Sequence, residues 1–279
     1  MSDTATEAAA SFPYLVLTSR NRRTYAATKA GVGQPNGKGY MGWRNPGEPK
    51  IMEAGEPLTD VYPRSEWVDR IHAGYGNFLS DLVKEQGIPV KDQDGLGYCW
   101  VYGSTTTVEV ARVKAGLPHV ELSPESVGGP CTGWRNQGGY AAQAFTQLES
   151  HGACENSFMD QANSLNWRAW KEGWQANALK HTVTRWYDIG NEFPIFDEVI
   201  SLLLNKIPVA AGLDWWGHLI IFMDPIILPD GSVGVLARNS WGKDWPNVPG
   251  VSQDGWFCLD EDSATPDGAA APIVVNLAQ

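Results

Sequence analysis

Helix-forming and strand-forming patterns are segregated along this chain, and that arrangement limits the folds open to it. Beyond about Val61 the first half carries helical signals and the second half strand signals. Residues 97–115 read as a helix even though Thr105, Thr106, Thr107, Val108 and Val110 are poor helix formers. Such a helix is held by burial and not by propensity. Ser123-Pro124-Glu125 is a helix start, a capping residue followed by proline at the first helical position. Residues 139–150 form a third helix, with Tyr140, Ala141, Ala144, Phe145 and Leu148 on one face. After a Trp-rich middle, 196–205 read as a short helix closed by Lys206. Strands then follow at 208–213, 218–224, 234–239 and 255–259, with Pro229-Asp230-Gly231-Ser232 as a turn between the second and third. Helices followed by antiparallel strands define an α+β chain of two lobes with a cleft where they meet.

Composition removes several function classes. With 279 residues, 43% of them hydrophobic, the chain supports a full-sized core. The longest purely apolar run, Leu219 to Met223, is far short of the ~20 residues that span a bilayer. Met1-Ser2-Asp3-Thr4 lacks the basic-then-apolar pattern of a secretory signal, so the expected location is cytoplasmic or particle-associated. A net charge of −11 argues against nucleic acid and anionic membrane as partners. The charge is uneven: between Thr18 and Lys50 the basic groups Arg20, Arg22, Arg23, Lys29, Lys38, Arg44 and Lys50 face only Glu48. A basic arm on an acidic body can dock on its own domain, grip an acidic protein partner, or simply be solvated.

The four cysteines, Cys99, Cys131, Cys154 and Cys258, show no CxxC spacing and no nearby histidine cluster. A zinc site is therefore not expected, and nothing in the sequence calls for another metal or a cofactor. Cys99 stands apart. It lies where the glycine-containing loop Gln93-Asp94-Gly95-Leu96-Gly97-Tyr98 enters a helix, at the positive end of the helix dipole, which favours thiolate over thiol. A nucleophile needs a base and a group that orients the base. His218 heads one predicted strand and Asn239 ends its neighbour, so antiparallel pairing can present both to one cleft.

Together these residues resemble the papain-like cysteine proteases, peptidase family C1. The nucleophile motif stands as Gln93-x5-Cys99-Trp100 within Val90-Lys91-Asp92-Gln93, the histidine as Gly217-His218-Leu219, and the asparagine as Asn239-Ser240-Trp241-Gly242. Trp245 and Gly255-Trp256-Phe257 follow. Leu122-Ser123-Pro124-Glu125 is similar to the family's LSxxE helix start, Gln137-Gly138-Gly139-Tyr140 to its NGGY segment, and 63–69 to its entry into the mature enzyme. The likeness covers residues 61–262 in the family's order. It implies a two-lobed fold with a helical N-terminal lobe, an antiparallel β-barrel-like C-terminal lobe and an active-site cleft between them. It also implies a Cys99, His218 and Asn239 triad, an oxyanion hole from the Gln93 amide and the Cys99 N–H, and Trp241 shielding the His218–Asn239 bond. Gly138 and Gly139 would offer backbone to an extended polypeptide substrate, and Tyr140 would line the adjacent pocket. A short chain of this kind points to a bacterial or viral origin.

Departures from the family pattern bear on function. Leu96 stands where the family usually carries a cysteine, so that disulfide cannot form. Tyr98 replaces a small residue and places a ring where it could crowd the cleft. Gln137 replaces the asparagine of the glycine segment. Residues 1–60 read as an irregular basic arm, unlike the family's helical prosegment, and 263–279 as a flexible tail. Trp167, Trp170 and Trp174 fall at helical spacing and read as a packing stripe. Beside the peptidase reading stands an alternative, a papain-fold structural or binding component of a virus particle or other assembly with little proteolytic activity.

Overall fold

The computed structural model describes residues 12–24, 55–190 and 192–277. In chain order its strands are β1 (Val16–Leu17), β2 (Val183–Ile189), β3 (Val209–Leu213), β4 (His218–Ile227), β5 (Val233–Arg238), β6 (Trp256–Leu259) and β7 (Gly268–Val275). The α-helices are α1 (Trp67–Gly74), α2 (Leu79–Glu85), α3 (Cys99–Lys114), α4 (Pro124–Thr132), α5 (Ala141–Ser150), α6 (Trp174–Ala178), α7 (Ile195–Leu204) and α8 (Glu261–Ala264). Among the described residues no helix is long and apolar enough to cross a membrane. The strands form one sheet in the order β1-β6-β5-β4-β3-β7-β2, with every pair antiparallel except β1 and β6. The predicted α+β order of helices before strands is therefore present.

Helix α3 is the pivot of the molecule. Every residue of it except Ala111 and Lys114 is buried. Three of its hydroxyls are satisfied on its own backbone, Ser104 Oγ donating to Trp100 O at 2.7 Å, Thr106 Oγ1 to Tyr102 O at 2.8 Å and Thr107 Oγ1 to Ser104 O at 2.7 Å, whereas the buried Thr105 hydroxyl has no hydrogen-bond partner among the described residues. That back-bonding lets a threonine-rich segment lie in an apolar interior without unmet donors at those three positions. The helix packs on β3, β4 and β7. Ala210 of β3 and Ala270 of β7 share its hydrophobic cluster with Cys99 and Trp100, and such small side chains leave room for a helix at close range. Gly103 makes the closest approach: a Cβ there would meet Leu219 Cδ2 at 2.3 Å. One turn from Cys99, it lets the helix settle on the strand that carries His218.

Helix α4 begins as expected, with the Ser123 hydroxyl accepting from the Ser126 N–H at 3.2 Å and Pro124 at the first position. Two other expectations fail. The flexible tail expected over 263–279 is not what the described part of it, 263–277, forms. Ser263 and Ala264 belong to α8, and β7 lies inside the sheet between β3 and β2. Its alanine-rich run lacks an alternating pattern, and Pro272 would normally argue against an inner strand. The β2–β7 register shifts between the Arg185–Val274 and Trp186–Pro272 pairs, and an irregularity of this kind accommodates a residue with no N–H. The tryptophan stripe is not one helix either. Trp167 lies in a short 3-10 turn and Trp174 opens α6, with Gly173 between them at φ 86°. The rings still gather, each within 6 Å of Trp134.

The first 60 residues are not wholly an arm. β1 pairs with β6, and Leu15 and Leu17 are buried in the core of the sheet lobe. Glu56 bridges to Tyr187 and pairs with Arg185 at 2.5 Å. The Arg22 guanidinium sits 4.8 Å from the Trp215 ring and donates to Asp262 O. Lys29, Lys38, Arg44 and Lys50 lie outside the described residues.

Candidate active site

Cys99 is the first residue of α3, in the turn whose N–H groups point out of the helix end. The helix also lays it against β4. The Leu219 N–H, one residue along from His218, donates to Cys99 Sγ at 3.4 Å. Cys99, His218 and Gln93 have no exposed surface, and Asn239 is only 1% exposed.

The orientation of the His218 ring follows from its neighbours. Asn239 Oδ1 accepts from the Ser240 N–H at 2.8 Å, which identifies that atom as the oxygen of the amide. The same oxygen lies 2.8 Å from His218 Nε2. An oxygen acceptor requires the proton to be on Nε2, so Nδ1 is the nitrogen that exchanges a proton with a thiol. Aromatic rings fix the plane of the imidazole. Trp241 stacks on it with centroids 4.6 Å apart, and Trp216 meets it edge-on at 5.1 Å. Trp216 in turn packs on Trp241, Trp245 and Phe257. These rings pack around the imidazole on the side of its bond to Asn239. Trp216 was not anticipated, because Trp215 and Trp216 occupy a turn where no periodicity tells which ring faces inward.

Gln93 belongs to a segment that joins the two lobes. Its N–H donates to Ser240 O at 3.0 Å, and the Gly242 N–H donates to Lys91 O at 3.0 Å. Ser240 Oγ donates to Gln93 Oε1 at 2.7 Å, and Gln93 Nε2 donates to Leu96 O at 2.7 Å. The amide is thereby oriented with its nitrogen toward the nucleophile loop. Gly242 is required at this junction: at φ 76° a Cβ would meet Asp92 Oδ2 at 2.6 Å.

A buried ion pair fastens this segment to α3. Lys91 Nζ lies 2.8 Å from Glu109 Oε1, and both side chains are at least 96% buried. Burial pushes the Glu109 carboxyl up, but the Lys91 charge, the His119 ring and the Leu122 N–H outweigh it and hold it below the usual value. The other predicted positions also gather here. The Trp100 indole donates to Gln137 O at 3.3 Å, which ties Gly138, Gly139 and Tyr140 to the residue beside the nucleophile. Gly139 is buried and Gly138 and Tyr140 are half-buried. Tyr98 does not crowd the cleft. Its fully buried ring lies against Gly128, and its hydroxyl contacts Thr132 Oγ1 at 2.6 Å and donates to Arg135 O at 3.0 Å.

None of the four cysteines is joined in a disulfide. Burial raises the Cys131 thiol to about 11, the Cys154 thiol to about 12, and the Cys258 thiol further still, so at neutral pH these three remain protonated. Among the described residues no group of His, Cys, Asp and Glu could hold a metal ion.

No family model matches the chain. In sequence it is 28% identical over 195 residues to the thiol protease aleurain of Arabidopsis thaliana, covering 58% of this chain and 51% of that one. It is 34% identical over 77 residues to the oryzain gamma chain of Oryza sativa subsp. japonica, covering 26% and 21%. The chain thus spans about half or less of the curated relatives it matches. In structure it is similar to digestive procathepsin L 3 of Tenebrio molitor, with a TM-score of 0.54 and 17% identity over 67% of this chain and 66% of that one. Xylellain, a cysteine protease from Xylella fastidiosa, gives a TM-score of 0.55 at 14% identity over 67% and 83%. The ragweed cysteine protease Amb a 11 in its proform gives 0.54 at 16% identity over 68% and 64%. The fold is that of the papain-like cysteine proteases, an α+β fold of two lobes, and the chain is similar in sequence to members of that family.

Proposed function

We propose that the chain is a cysteine-type endopeptidase that hydrolyses peptide or isopeptide bonds of a polypeptide substrate. The observation that carries this reading is the His218 Nε2 to Asn239 Oδ1 bond of 2.8 Å on a strand whose next N–H reaches Cys99 Sγ. One array thus holds a thiol at a helix N-terminus, a base with its proton placed on the far nitrogen, and the group that orients it.

Cys99 passes its proton to His218 Nδ1 and attacks the substrate carbonyl as thiolate. The tetrahedral oxyanion is held by the Cys99 N–H and by a Gln93 amide proton, an amide nitrogen having two of which one goes to Leu96 O. His218 then protonates the leaving amine, and the acyl group stays on sulfur. In the second half a water gives its proton to His218 and attacks the thioester, releasing the acid and restoring the thiol. Asn239 holds the ring through both steps, and Trp241 keeps water from the bond between them. Gly138 and Gly139 supply backbone for an extended substrate, with Tyr140 beside them.

The test is covalent labelling by a peptidyl epoxide, read by mass spectrometry on the wild type and on Cys99→Ala and His218→Ala. Labelling at Cys99 alone, abolished by His218→Ala, is the expected result. Because Cys99 is fully buried, the rate also measures access to the sulfur. Labelling no faster than that of Cys131 or Cys258 overturns the reading.

A further inference from the structure

The loop from Gln93 to Tyr98 joins the proposed oxyanion donor to the nucleophile, so its shape sets the distance between them. Within itself the loop is closed by the Leu96 N–H on Gln93 O at 2.8 Å and by the Gln93 amide on Leu96 O at 2.7 Å. Asp94 and Gly95 turn it at φ 30° and φ 83°, and no side chain caps α3. Two anchors from the α4–α5 connection hold it from outside. One is the Tyr98 hydroxyl on Thr132 and Arg135 O. The other is Asn136, whose carbonyl oxygen accepts from the Gly97 N–H at 2.6 Å and whose amide donates to Gly95 O at 3.2 Å. Asn136 therefore straddles Leu96, the residue whose own carbonyl receives the Gln93 amide.

We infer that Asn136 is a positioning residue for the oxyanion hole, fixing the Gln93 amide relative to the Cys99 N–H. The inference rests on the peptidase reading above. Asn136 is exposed, and both bonds to the loop are made by its side-chain amide. Its two bonds are individually modest. Misplacing a catalytic group by a fraction of an ångström is costly in rate out of proportion to their strength.

The experiment separates two reactions of the same sulfur in full-length protein. Methyl methanethiosulfonate reports thiolate attack on sulfur, with no carbonyl and no oxyanion. A dipeptide aldehyde, acetyl-Phe-glycinal, forms a hemithioacetal whose oxygen occupies the oxyanion hole. In Asn136→Ala the first rate should stay within about twofold of wild type, while the aldehyde binds about tenfold more weakly. Asn136→Asp keeps the acceptor for the Gly97 N–H and should recover part of the loss. An Asn136→Ala variant that matches wild type in both reactions overturns the proposal. So does one that loses both in step, since Asn136 would then brace the loop as a whole. A wild-type Cys99 that reacts with neither reagent faster than Cys131 overturns the peptidase reading itself, and this inference with it.

Discussion

On the helical side of the site, Cys99 is held by backbone and charge. It begins a helix buried along nearly its whole length, and a Lys91–Glu109 pair ties that helix to the segment of Gln93. On the strand side, His218 is held by packing, between Trp241 and Trp216, and by its donation to Asn239 Oδ1. Two of the buried carboxylates repeat the contrast. Glu109 faces a cation, whereas Asp224 of β4 is met by the N–H groups of Leu79 and Ser80 at the start of α2, at 2.8 and 3.1 Å. A nucleophile needs a fixed field around it, and a base that gains and loses a proton needs a fixed plane. The two sides differ in what they hold still.

The contrast breaks most visibly at Glu109. Glu109→Gln leaves the Lys91 ammonium buried without its charge partner, and losing one member of such a pair costs about 3–5 kcal/mol. Chemical denaturation at neutral pH should show a loss of that size. A loss below about 1 kcal/mol would mean that Lys91 turns to Glu121, 3.8 Å away, and that the charge anchor is dispensable.

On the strand side the corresponding change is Asn239→Ala. Trp241 and Trp216 remain, so the ring keeps its plane, but the bond to the imidazolium is lost. A hydrogen bond to a charged group contributes about 1.5–3 kcal/mol, which corresponds to a fall in kcat of about 10- to 150-fold, with a stability loss of about 1–3 kcal/mol from the buried Ser240 N–H left without its acceptor. Turnover unchanged within twofold would show that the aromatic box alone orients His218.

Gly103→Val tests the joint between the sides. Its Cβ would meet the Leu219 side chain at 2.3 Å, so either that side chain turns away or α3 lifts off β4. Overpacking of this kind costs about 1–3 kcal/mol, and lifting separates Cys99 from His218. The expected outcome is slower epoxide labelling of Cys99 together with the stability loss. Stability lost with labelling unchanged would place the adjustment in Leu219 alone.

What the sequence made legible follows the same division. The nucleophile helix, its Gln93, and the His218 and Asn239 strands could be read because each couples a chemically distinctive residue to a local start signal. Strand β2 and strand β7 could not: one lies in a Trp-rich stretch without alternation, and the other is alanine-rich with Pro272 inside it. Tyr98 and Tyr102 share a face of α3, but spacing does not say whether that face looks into the cleft or under α4. The structure puts Tyr98 under α4. Asn136 and Ser240 act through bonds to distant backbone or to a side chain far along the chain, and no local pattern announces such contacts.

An effect with opposite signs on the two sides is in acid. Asp224 is buried, and burial raises its carboxyl from 3.8 to about 6 despite the bonds from Ser80 and Leu79. Between about pH 4 and pH 6 the folded chain therefore keeps a proton that the unfolded chain has released. Its contribution to stability is fully present below that window and is lost as pH rises through it. Glu109, with its lowered value, does the reverse: its contribution is present above the ordinary carboxylate range and is lost as pH falls. Asp224→Asn removes the first of these while keeping an acceptor for one of the two N–H groups. The variant's stability relative to wild type should climb from pH 4 to pH 6 and then level off, as measured by denaturation at a series of pH values. A difference that stays flat across that range would mean that the two N–H groups keep Asp224 ionised. Both sides of the site would then hold their buried carboxylates as anions, one with a cation and the other with a helix end.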